Sequence, residues 1–227
     1  MLNIKTFQVN PLMVNCYVIS DDTKEACIID PGCMAETEWT AIKNYINDKG
    51  LKLVHMLCTH LHFDHIMGCG FVYRDYQLNI EGSMADQKQY EQLRVYMNAF
   101  DLDPSSIPPV PPVHDITPPQ MGSETSFPPK GGQGVHFGTH TLTILKTPGH
   151  TPGGLCFYCP DEDVLWAGDT LFQGSVGRTD LPGGDTDAII SSIRDVLFTL
   201  PPTTRVFTGH GPSTTIDYEQ RYNPFLR

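Results

Sequence analysis

The sequence predicts an α+β protein whose β-sheets are covered by helices. Strand-like alternation fills the first 30 residues, amphipathic helical segments follow at about 36–49 and 185–197, and further strand-like stretches lie between them. Strands and helices interspersed in this way pack as layers around a common core. At 227 residues, we expect a single domain over residues 1–227, built from two similar halves without a detectable sequence repeat.

The first half begins with strands and continues into a helix. NIKTFQV, NCYVIS and EACIID are typical of strands, and the third ends at the turn 30–32. A helix is predicted from about Glu36 to Lys49, with Gly50 at its end. Its buried face would consist of apolar residues at helical spacing, namely Trp39, Ile42 and Ile46. LKLVHML then predicts a buried strand.

A second helix and a proline-rich segment complete this half. Ser83 is a typical N-cap for a helix that would end near Phe100. The segment from about 104 to 134 contains nine of the 19 prolines, which excludes a helix or a central strand. We expect a long ordered loop there, lying either over the surface or over a site.

The second half repeats the mixture of strands and helix. HTLTILK, GLCFYC and DVLWAG predict strands, and 205–208 predicts a last short one. Asp185 or Thr186 would cap a helix whose apolar face comprises Ile189, Ile190, Ile193, Val196 and Leu197. Cys156 and Cys159 form a CxxC, but on a strand they point to opposite faces, so we expect no redox or metal role.

Composition limits the classes of partner. The net charge is −11 with only 15 lysines and arginines, which argues against nucleic acid and anionic membranes. The amino terminus lacks a basic and then apolar signal pattern, and no run of about 18 apolar residues occurs. Seven scattered cysteines do not form a disulfide framework. We therefore expect a reduced, cytoplasmic protein.

A metal-binding pattern occupies residues 60–65, which read HLHFDH. On an extended segment His60 and His62 point the same way, and the turn into the next helix presents Asp64 and His65 nearby. Imidazole and carboxylate ligands without thiolates suit Zn, Fe or Mn. The spacing predicts a metal site, and we predict no other cofactor-binding residues.

Three further candidate ligands follow predicted strands. They are His150 in TPGHTPG, Asp169 in WAGDTLF and His210 in FTGHGP, and each is flanked by glycine that permits a sharp turn. Strand ends could deliver all seven candidates to one edge of the sheets. The remaining histidines lack this setting and are interpreted as structural or surface residues: His55, His114, His136 and His140.

In this order and spread, HxHxDH, PGHT, GDT and GHG resemble the metallo-β-lactamase superfamily, and within it the glyoxalase II-like group. The resemblance implies an αβ/βα sandwich of two mixed sheets flanked by helices, with metals at one edge between the sheets. It implies that His60, His62 and His150 bind a first metal. It further implies that Asp64, His65 and His210 bind a second, and that Asp169 bridges both.

Three shorter segments also resemble the superfamily. The turn Asp30-Pro31-Gly32 is similar to a recurring one, which is either a plain β-turn or a support for the ligands. Residues 174–180, GSVGRTD, and 223–225, NPF, resemble the short bacterial members. Arg178 would bind a substrate carboxylate. Its alternative role is a structural ion pair with Asp180 or Asp185.

The resemblance implies a dinuclear hydrolase, a thioesterase of the hydroxyacylglutathione type. Two divalent ions, preferentially Zn²⁺ with Fe or Mn as alternatives, would share a hydroxide that attacks the thioester. Asp64 and Asp169 would serve catalysis as ligands. The alternatives are a persulfide dioxygenase with one iron, which can keep the same seven residues, and a hydrolase of another ester or lactone.

Two features separate the chain from other superfamily members. Classical glyoxalase II has a C-terminal helical domain that binds glutathione, whereas only 17 residues follow His210 here. A secreted β-lactamase is not expected, because the amino terminus lacks an export signal. A member of the nuclease branch is not expected either, because the chain is too short to contain the large inserted domain of that branch.

Overall fold

Two six-stranded mixed β-sheets organise the chain. The structure, a computed structural model, describes residues 1–118 and 134–227. Its contacts divide the chain into two units, which we call the N unit and the C unit. The N unit comprises Met1–Asp115 and Phe137–Thr139, and the C unit comprises Ile116–His136 and His140–Arg227.

The sheet of the N unit follows chain order from one edge to the other. Its strands are β1 (Asn3–Val9), β2 (Val14–Ser20), β3 (Glu25–Ile29), β4 (Lys52–Leu57), β5 (Ile80–Gly82) and β6 (Val113–Asp115). The first three are antiparallel, as expected for strands joined by short turns, and β3 to β6 are parallel. Every residue of β2 is buried, so this strand contributes to the core throughout its length. The strands predicted from the first 30 residues are present.

Five short helices accompany this sheet: α1 (Glu36–Asp48), α2 (Phe63–Ile66), α3 (Cys69–Tyr76), α4 (Gln87–Glu91) and α5 (Leu93–Ala99). In α1 the predicted face of Trp39, Ile42 and Ile46 is fully buried, and Gly50 follows with φ +62°. The backbone conformation at Gly50 is the left-handed one that commonly ends a helix.

The predicted helix from Ser83 to Phe100 is present with both of its expected ends, but as three consecutive helical segments rather than one. Ser83 does accept a hydrogen bond from the amide of Ala85, but it caps a 3₁₀ turn over Met84–Asp86, and α4 and α5 follow as separate segments. The division between α4 and α5 lies at Gln92, whose φ of −90° and ψ of 4° depart from α-helical values. In the preceding 3₁₀ turn, the fully buried carboxylate of Asp86 accepts the amide of Leu61 at 3.1 Å. The 3₁₀ turn thus contacts the loop that follows β4.

The proline-rich segment contains a strand. Val113–Asp115 forms β6 at the edge of the sheet, paired in parallel with β5, and Pro104–Ser106 forms a 3₁₀ turn. An edge strand tolerates neighbouring prolines because one side of it needs no sheet hydrogen bonds. The prediction of a continuous loop is therefore corrected for 104–106 and 113–115. Its part at 119–133 lies outside the described residues.

The second sheet has the order β14-β13-β10-β9-β8-β7, and β11 and β12 form a separate ribbon. The strands are β7 (Gly134–Phe137), β8 (His140–Lys146), β9 (Leu155–Cys159), β10 (Val164–Gly168), β11 (Leu171–Phe172), β12 (Ser175–Val176), β13 (Arg205–Thr208) and β14 (Thr214–Thr215). Apart from Phe137 they belong to the C unit. The four predicted strands β8, β9, β10 and β13 are confirmed.

Among the described residues of the C unit, α-helices are formed by α6 (Thr186–Ser191) and α7 (Ile216–Tyr222). Asp185 caps α6 by accepting the amide of Ala188 at 2.9 Å, as predicted. The chain continues through a π-helical turn over Ser192–Val196 and a 3₁₀ turn over Leu197–Thr199. Helix α7 is not predicted from the sequence. Within the described residues, no helix has the length and apolar character that a membrane crossing requires.

Candidate metal centre

The HLHFDH segment gathers four candidate ligands in the N unit, which we call the N half-site: His60, His62, Asp64 and His65. It follows β4 and continues into α2, whose first turn contains Asp64 and His65. The ring centroid of His60 lies 4.9 Å from that of His62 and 4.1 Å from that of His65. All three imidazoles are buried.

Three candidate ligands lie together in the C unit and form the C half-site: His150, Asp169 and His210. His150 follows β8, Asp169 follows β10 and His210 follows β13. Asp169 lies between the two imidazoles, because its Oδ2 is 3.5 Å from His150 Nε2 and 3.6 Å from His210 Nε2. Within each unit, the structure therefore brings together all the candidates that the sequence placed there.

The separations in both half-sites fit ligands of one ion better than they fit hydrogen bonds. His65 Nε2 lies 3.8 Å from Asp64 Oδ2, and the corresponding distances in the C half-site are 3.5 and 3.6 Å. Hydrogen bonds between nitrogen and oxygen are shorter, about 2.7–3.2 Å. Two ligands of a tetrahedral ion with bonds of about 2.05 Å are separated by about 3.3 Å. Neutral imidazoles beside carboxylates are also the donor set that divalent Zn, Fe or Mn accepts.

Asp30 lies beside one imidazole of the N half-site, that of His65. It is buried, and it accepts hydrogen bonds from the amide of Thr59 at 2.7 Å and from its hydroxyl at 2.8 Å. The same carboxylate lies 3.1 Å from His65 Nδ1. A carboxylate favours the tautomer with the proton on Nδ1, so the Nε2 of His65 keeps the lone pair that a metal needs.

Thr59 extends this arrangement to His60. Its hydroxyl lies 3.1 Å from His60 Nδ1, and its own proton is donated to Asp30. The hydroxyl oxygen can therefore accept the Nδ1 proton of His60, which leaves Nε2 as the ligand atom. Asp30 thus contacts the candidate ligand His65 directly and the candidate ligand His60 through Thr59.

The backbone at Asp64 is held by two residues from the beginning of the chain. Asn10 Nδ2 donates to the carbonyl of Gly32 at 2.8 Å and to that of Asp64 at 3.0 Å. A Cβ at Gly32 would lie 2.0 Å from the Asp64 carbonyl oxygen, so only glycine fits there. Sequence reasoning missed Asn10 and Asp86. Both act on the ligand segment through single contacts that no local pattern reveals.

The C half-site has a corresponding support in the segment 174–178. His150 Nδ1 donates to the carbonyl of Arg178 at 2.7 Å, which again leaves Nε2 for a metal. A Cβ at Gly177 would lie 1.8 Å from the Asp169 carbonyl oxygen. The turn at His210 is closed by the hydroxyl of Thr208, which donates to the His210 carbonyl at 2.7 Å.

The guanidinium of Arg178 makes the ion pair that the sequence left open as its alternative role. It donates to both carboxylate oxygens of Asp180, at 2.7 and 2.8 Å. This pairing raises the pKa of Arg178 and lowers that of Asp180 to about 2. The pair is exposed, so it contributes little to stability. The backbone carbonyl of Arg178 is the part of the residue that contacts a candidate ligand.

The other four histidines lie outside both half-sites. His55 pairs with Glu81 at 2.7 Å, and His140 pairs with Glu162 at 3.1 Å. His136 contacts the hydroxyl of Thr141, and His114 is exposed on the edge strand β6. These contacts agree with their interpretation as structural or surface residues.

The sequence matches the metallo-beta-lactamase superfamily over residues 9–210. The chain belongs to this superfamily. It is 35% identical to a probable metallo-hydrolase, YqgX, of Bacillus subtilis, covering 96% of this chain and 94% of that protein. It is also 35% identical to the hydroxyacylglutathione hydrolase GloC of Haemophilus influenzae, covering 99% and 98%. These relatives place the chain in a family of metallo-hydrolases.

Solved structures confirm the fold class. The BLEG-1 B3 metallo-beta-lactamase is similar with a TM-score of 0.77 and 33% identity, over 100% of this chain and 99% of that one. TTHA1623, crystallised in a di-iron-bound form, has a TM-score of 0.77 and 34% identity over 98% and 100%. The fold is therefore the α+β fold of the metallo-β-lactamase superfamily, with two mixed sheets flanked by helices.

Proposed function

We propose that the chain is a dinuclear metal-dependent thioesterase of the hydroxyacylglutathione hydrolase type. The observation that carries this proposal is the pair of half-sites, each of which groups imidazoles with an aspartate at ligand separations. The identity of 35% with GloC over nearly the whole of both chains supports the thioester as substrate. The partner of the protein is then a small-molecule thioester.

The two half-sites together would supply seven ligands. The first metal would be held by His60, His62 and His150. The second would be held by Asp64, His65 and His210, and Asp169 would bridge the two. Zn²⁺ is the preferred ion for such ligands, and the di-iron form of TTHA1623 supports iron as the main alternative.

Neighbouring residues orient the imidazoles and the aspartates of the proposed centre. Asp30, Thr59 and the Arg178 carbonyl lie beside the Nδ1 atoms of His65, His60 and His150, which favours Nε2 as the ligand atom in each. Divalent ions bound there supply water activated at neutral pH and polarise a substrate carbonyl. The packing of Gly32 and Gly177 fixes the backbone of the two aspartates, which limits how far the carboxylates can move.

The leaving group favours a thioester over an amide. A free thiol has a pKa of about 8.5, so a thiolate can leave without a proton donor. An amine leaving group must be protonated, and the charged groups of both half-sites are assigned as ligands. The similarity to a B3 metallo-beta-lactamase nevertheless supports β-lactam hydrolysis as a second candidate, so a β-lactam belongs among the substrates tested.

Metal analysis combined with a substrate panel tests the proposal. Protein purified without added metal is analysed for Zn, Fe and Mn, and then assayed with a hydroxyacylglutathione, its oxygen-ester analogue, a β-lactam and a glutathione persulfide. We expect two ions per chain and turnover of the thioester. One iron per chain with oxygen consumption on the persulfide would replace the hydrolase by the dioxygenase. Absence of turnover on the whole panel would refute an enzymatic role of this kind.

A further inference from the structure

A buried carboxylate near the end of the chain is not among the seven candidate ligands of the proposed metal centre. Glu219 on α7 is fully buried. Its Oε1 accepts the hydroxyl of Thr214 at 2.6 Å, and its Oε2 accepts the amide of Gly174 at 3.0 Å. A buried carboxylate is costly unless donors surround it, so such a group is retained where its hydrogen bonds hold something in place.

Asn223 extends the same contact. Its Nδ2 donates to Glu219 Oε2 at 2.8 Å and to the carbonyl of Ser175 at 3.0 Å. Its Oδ1 accepts the amide of Phe225 at 3.0 Å. All the polar atoms of this side chain are therefore used, and the side chain itself is 1% exposed. We call Glu219 and Asn223 the C-terminal clamp.

The backbone held by the clamp leads directly to two candidate ligands. Ser175 begins β12, which pairs with β11 immediately after Asp169 and Thr170. The segment then places Gly177 against the Asp169 carbonyl and the Arg178 carbonyl on His150 Nδ1. Within a few residues, the clamp is thus connected to the backbone of one candidate ligand and to the tautomer of another.

We propose that Glu219 and Asn223 are positioning residues, which hold segment 174–178 so that it orients His150 and fixes Asp169. They touch neither ligand themselves and act through the backbone of this segment. The inference rests on the proposed metal centre for its consequence in catalysis, but the contact with His150 can be measured without any metal.

Four substitutions distinguish positioning from general stability. Glu219→Ala removes the acceptor of Gly174 and Asn223, and Asn223→Ala removes the donor to Ser175. Glu219→Gln keeps an oxygen at the Oε2 position, while its amide faces the Thr214 hydroxyl, which can rotate to accept. Thr214→Val is the matched control, since it deletes a hydrogen bond to the same carboxylate but none to segment 174–178.

Two measurements apply to each variant. The first is the NMR signal of the His150 Nδ1 proton, which its hydrogen bond to the Arg178 carbonyl protects from exchange with water. The second is zinc affinity from competition with a chelator. We expect Glu219→Ala and Asn223→Ala to lose the protected proton and about tenfold in zinc affinity. Glu219→Gln and Thr214→Val should resemble the wild type in both, whatever their melting temperatures.

The proposal is overturned if Glu219→Ala and Asn223→Ala keep the protected proton, or if Thr214→Val loses it to the same extent. Should Glu219→Ala fail to fold, Asn223→Ala decides the question, because it leaves the carboxylate and its Thr214 and Gly174 contacts in place. If the wild type binds none of Zn, Fe and Mn, the proposed function fails, whereas the NMR measurement still decides whether the clamp orients His150.

Discussion

Two glycines determine the backbone position of the two aspartates that are candidate ligands. A Cβ at Gly32 would lie 2.0 Å from the Asp64 carbonyl oxygen, and one at Gly177 would lie 1.8 Å from that of Asp169. Carbon atoms in proteins do not approach carbonyl oxygens so closely, so either substitution must displace backbone. In each half-site, therefore, a glycine packs against the backbone carbonyl of the aspartate.

Gly32→Ala should disturb the N half-site far beyond what its size suggests. The methyl group would push the Asp64 backbone away, and we expect a loss of about 2–3 kcal/mol in stability together with at least half of the bound metal. Gly50→Ala is the control, because Gly50 also lies in a turn, with φ +62° and no atom near its Cβ position. It should cost about 1 kcal/mol and no metal. Urea unfolding measures the loss of stability, and metal analysis after gel filtration measures the loss of bound metal. Retention of full metal by Gly32→Ala would contradict the expected displacement.

Asp169 and Asp64 should differ in their effect on metal content. A carboxylate that bridges both ions serves the whole centre, so Asp169→Ala should leave less than one ion per chain and no measurable turnover. Asp64→Ala should affect the second ion chiefly and leave about one ion per chain. The measurement is metal analysis on protein purified in parallel with the wild type. Full metal content and activity in Asp169→Ala would show that the ligand assignment is wrong.

At the scale of elements, a charged network joins α1 and α3. The indole of Trp39 donates to Asp75 at 2.9 Å, and Lys43 donates to the same oxygen at 2.8 Å. Arg74 donates to the other oxygen of Asp75 at 2.8 Å and to both oxygens of Glu36. Arg74 and the other donors hold the pKa of Asp75 well below its usual range. The ionised carboxylate therefore stabilises the contact between the two helices.

Asp75→Asn should lower stability in a manner that depends on pH. Because the folded-state pKa lies below the value of about 3.9 in an unfolded chain, the stabilisation is complete above about pH 4. It disappears as pH falls through the folded-state pKa. We expect Asp75→Asn to lose about 1–2 kcal/mol at pH 7, and the difference from wild type to shrink below about pH 4.

Urea unfolding of both proteins between pH 7 and pH 3 measures this difference. Asp22→Asn is the control, since its carboxylate pairs with the terminal amine while 82% exposed and should contribute little at any pH. A difference for Asp75→Asn that stays constant down to pH 3 would mean that the charge of Asp75 does not contribute.

The elements show where sequence reasoning succeeds and where it stops. Helix α1 was predicted with its buried face because Trp39, Ile42 and Ile46 repeat at helical spacing, which is a local signal. The candidate ligands were found because each motif is short. The supports of the ligands were not found, because Asn10 contacts Asp64 across 54 residues and Glu219 contacts Gly174 across 45. Similarly, Ser83 is a true cap, but the contact of the buried Asp86 with Leu61 in a distant loop has no local sequence signal.

At the scale of the whole molecule, charge bears on how substrate is held. The net charge of −11 opposes anionic ligands at long range, and the guanidinium of Arg178 is paired with Asp180. A carboxylate-bearing thioester would compete with Asp180 for Arg178 at low cost, since the pair is exposed. Arg178→Ala should therefore raise KM for an anionic thioester more than for a neutral one, with little change in melting temperature. Equal changes in KM for both substrates would restrict Arg178 to its ion pair and its backbone carbonyl.

The proposed centre takes four ligands from the N unit and three from the C unit, so a bound metal would link the folding of the two units. A ligand that binds only the folded state stabilises it by about 2.7 kcal/mol at a hundredfold excess over its Kd. Adding zinc to the metal-free protein should then slow amide hydrogen exchange in both units, measured by mass spectrometry on peptides from α1 and from β9.

The decisive experiment changes a residue in the C unit and measures hydrogen exchange in the N unit. Asp169→Ala alters only the C unit, yet it should abolish the zinc-dependent protection of α1 in the N unit if Asp169 is shared by both ions, as proposed. His136→Ala is the control, since it removes an exposed imidazole of the C unit that lies outside the half-site, and it should leave the protection unchanged. If α1 keeps its zinc-dependent protection in Asp169→Ala, then Asp169 is not a carboxylate shared by both ions, and the proposed ligand assignment is wrong.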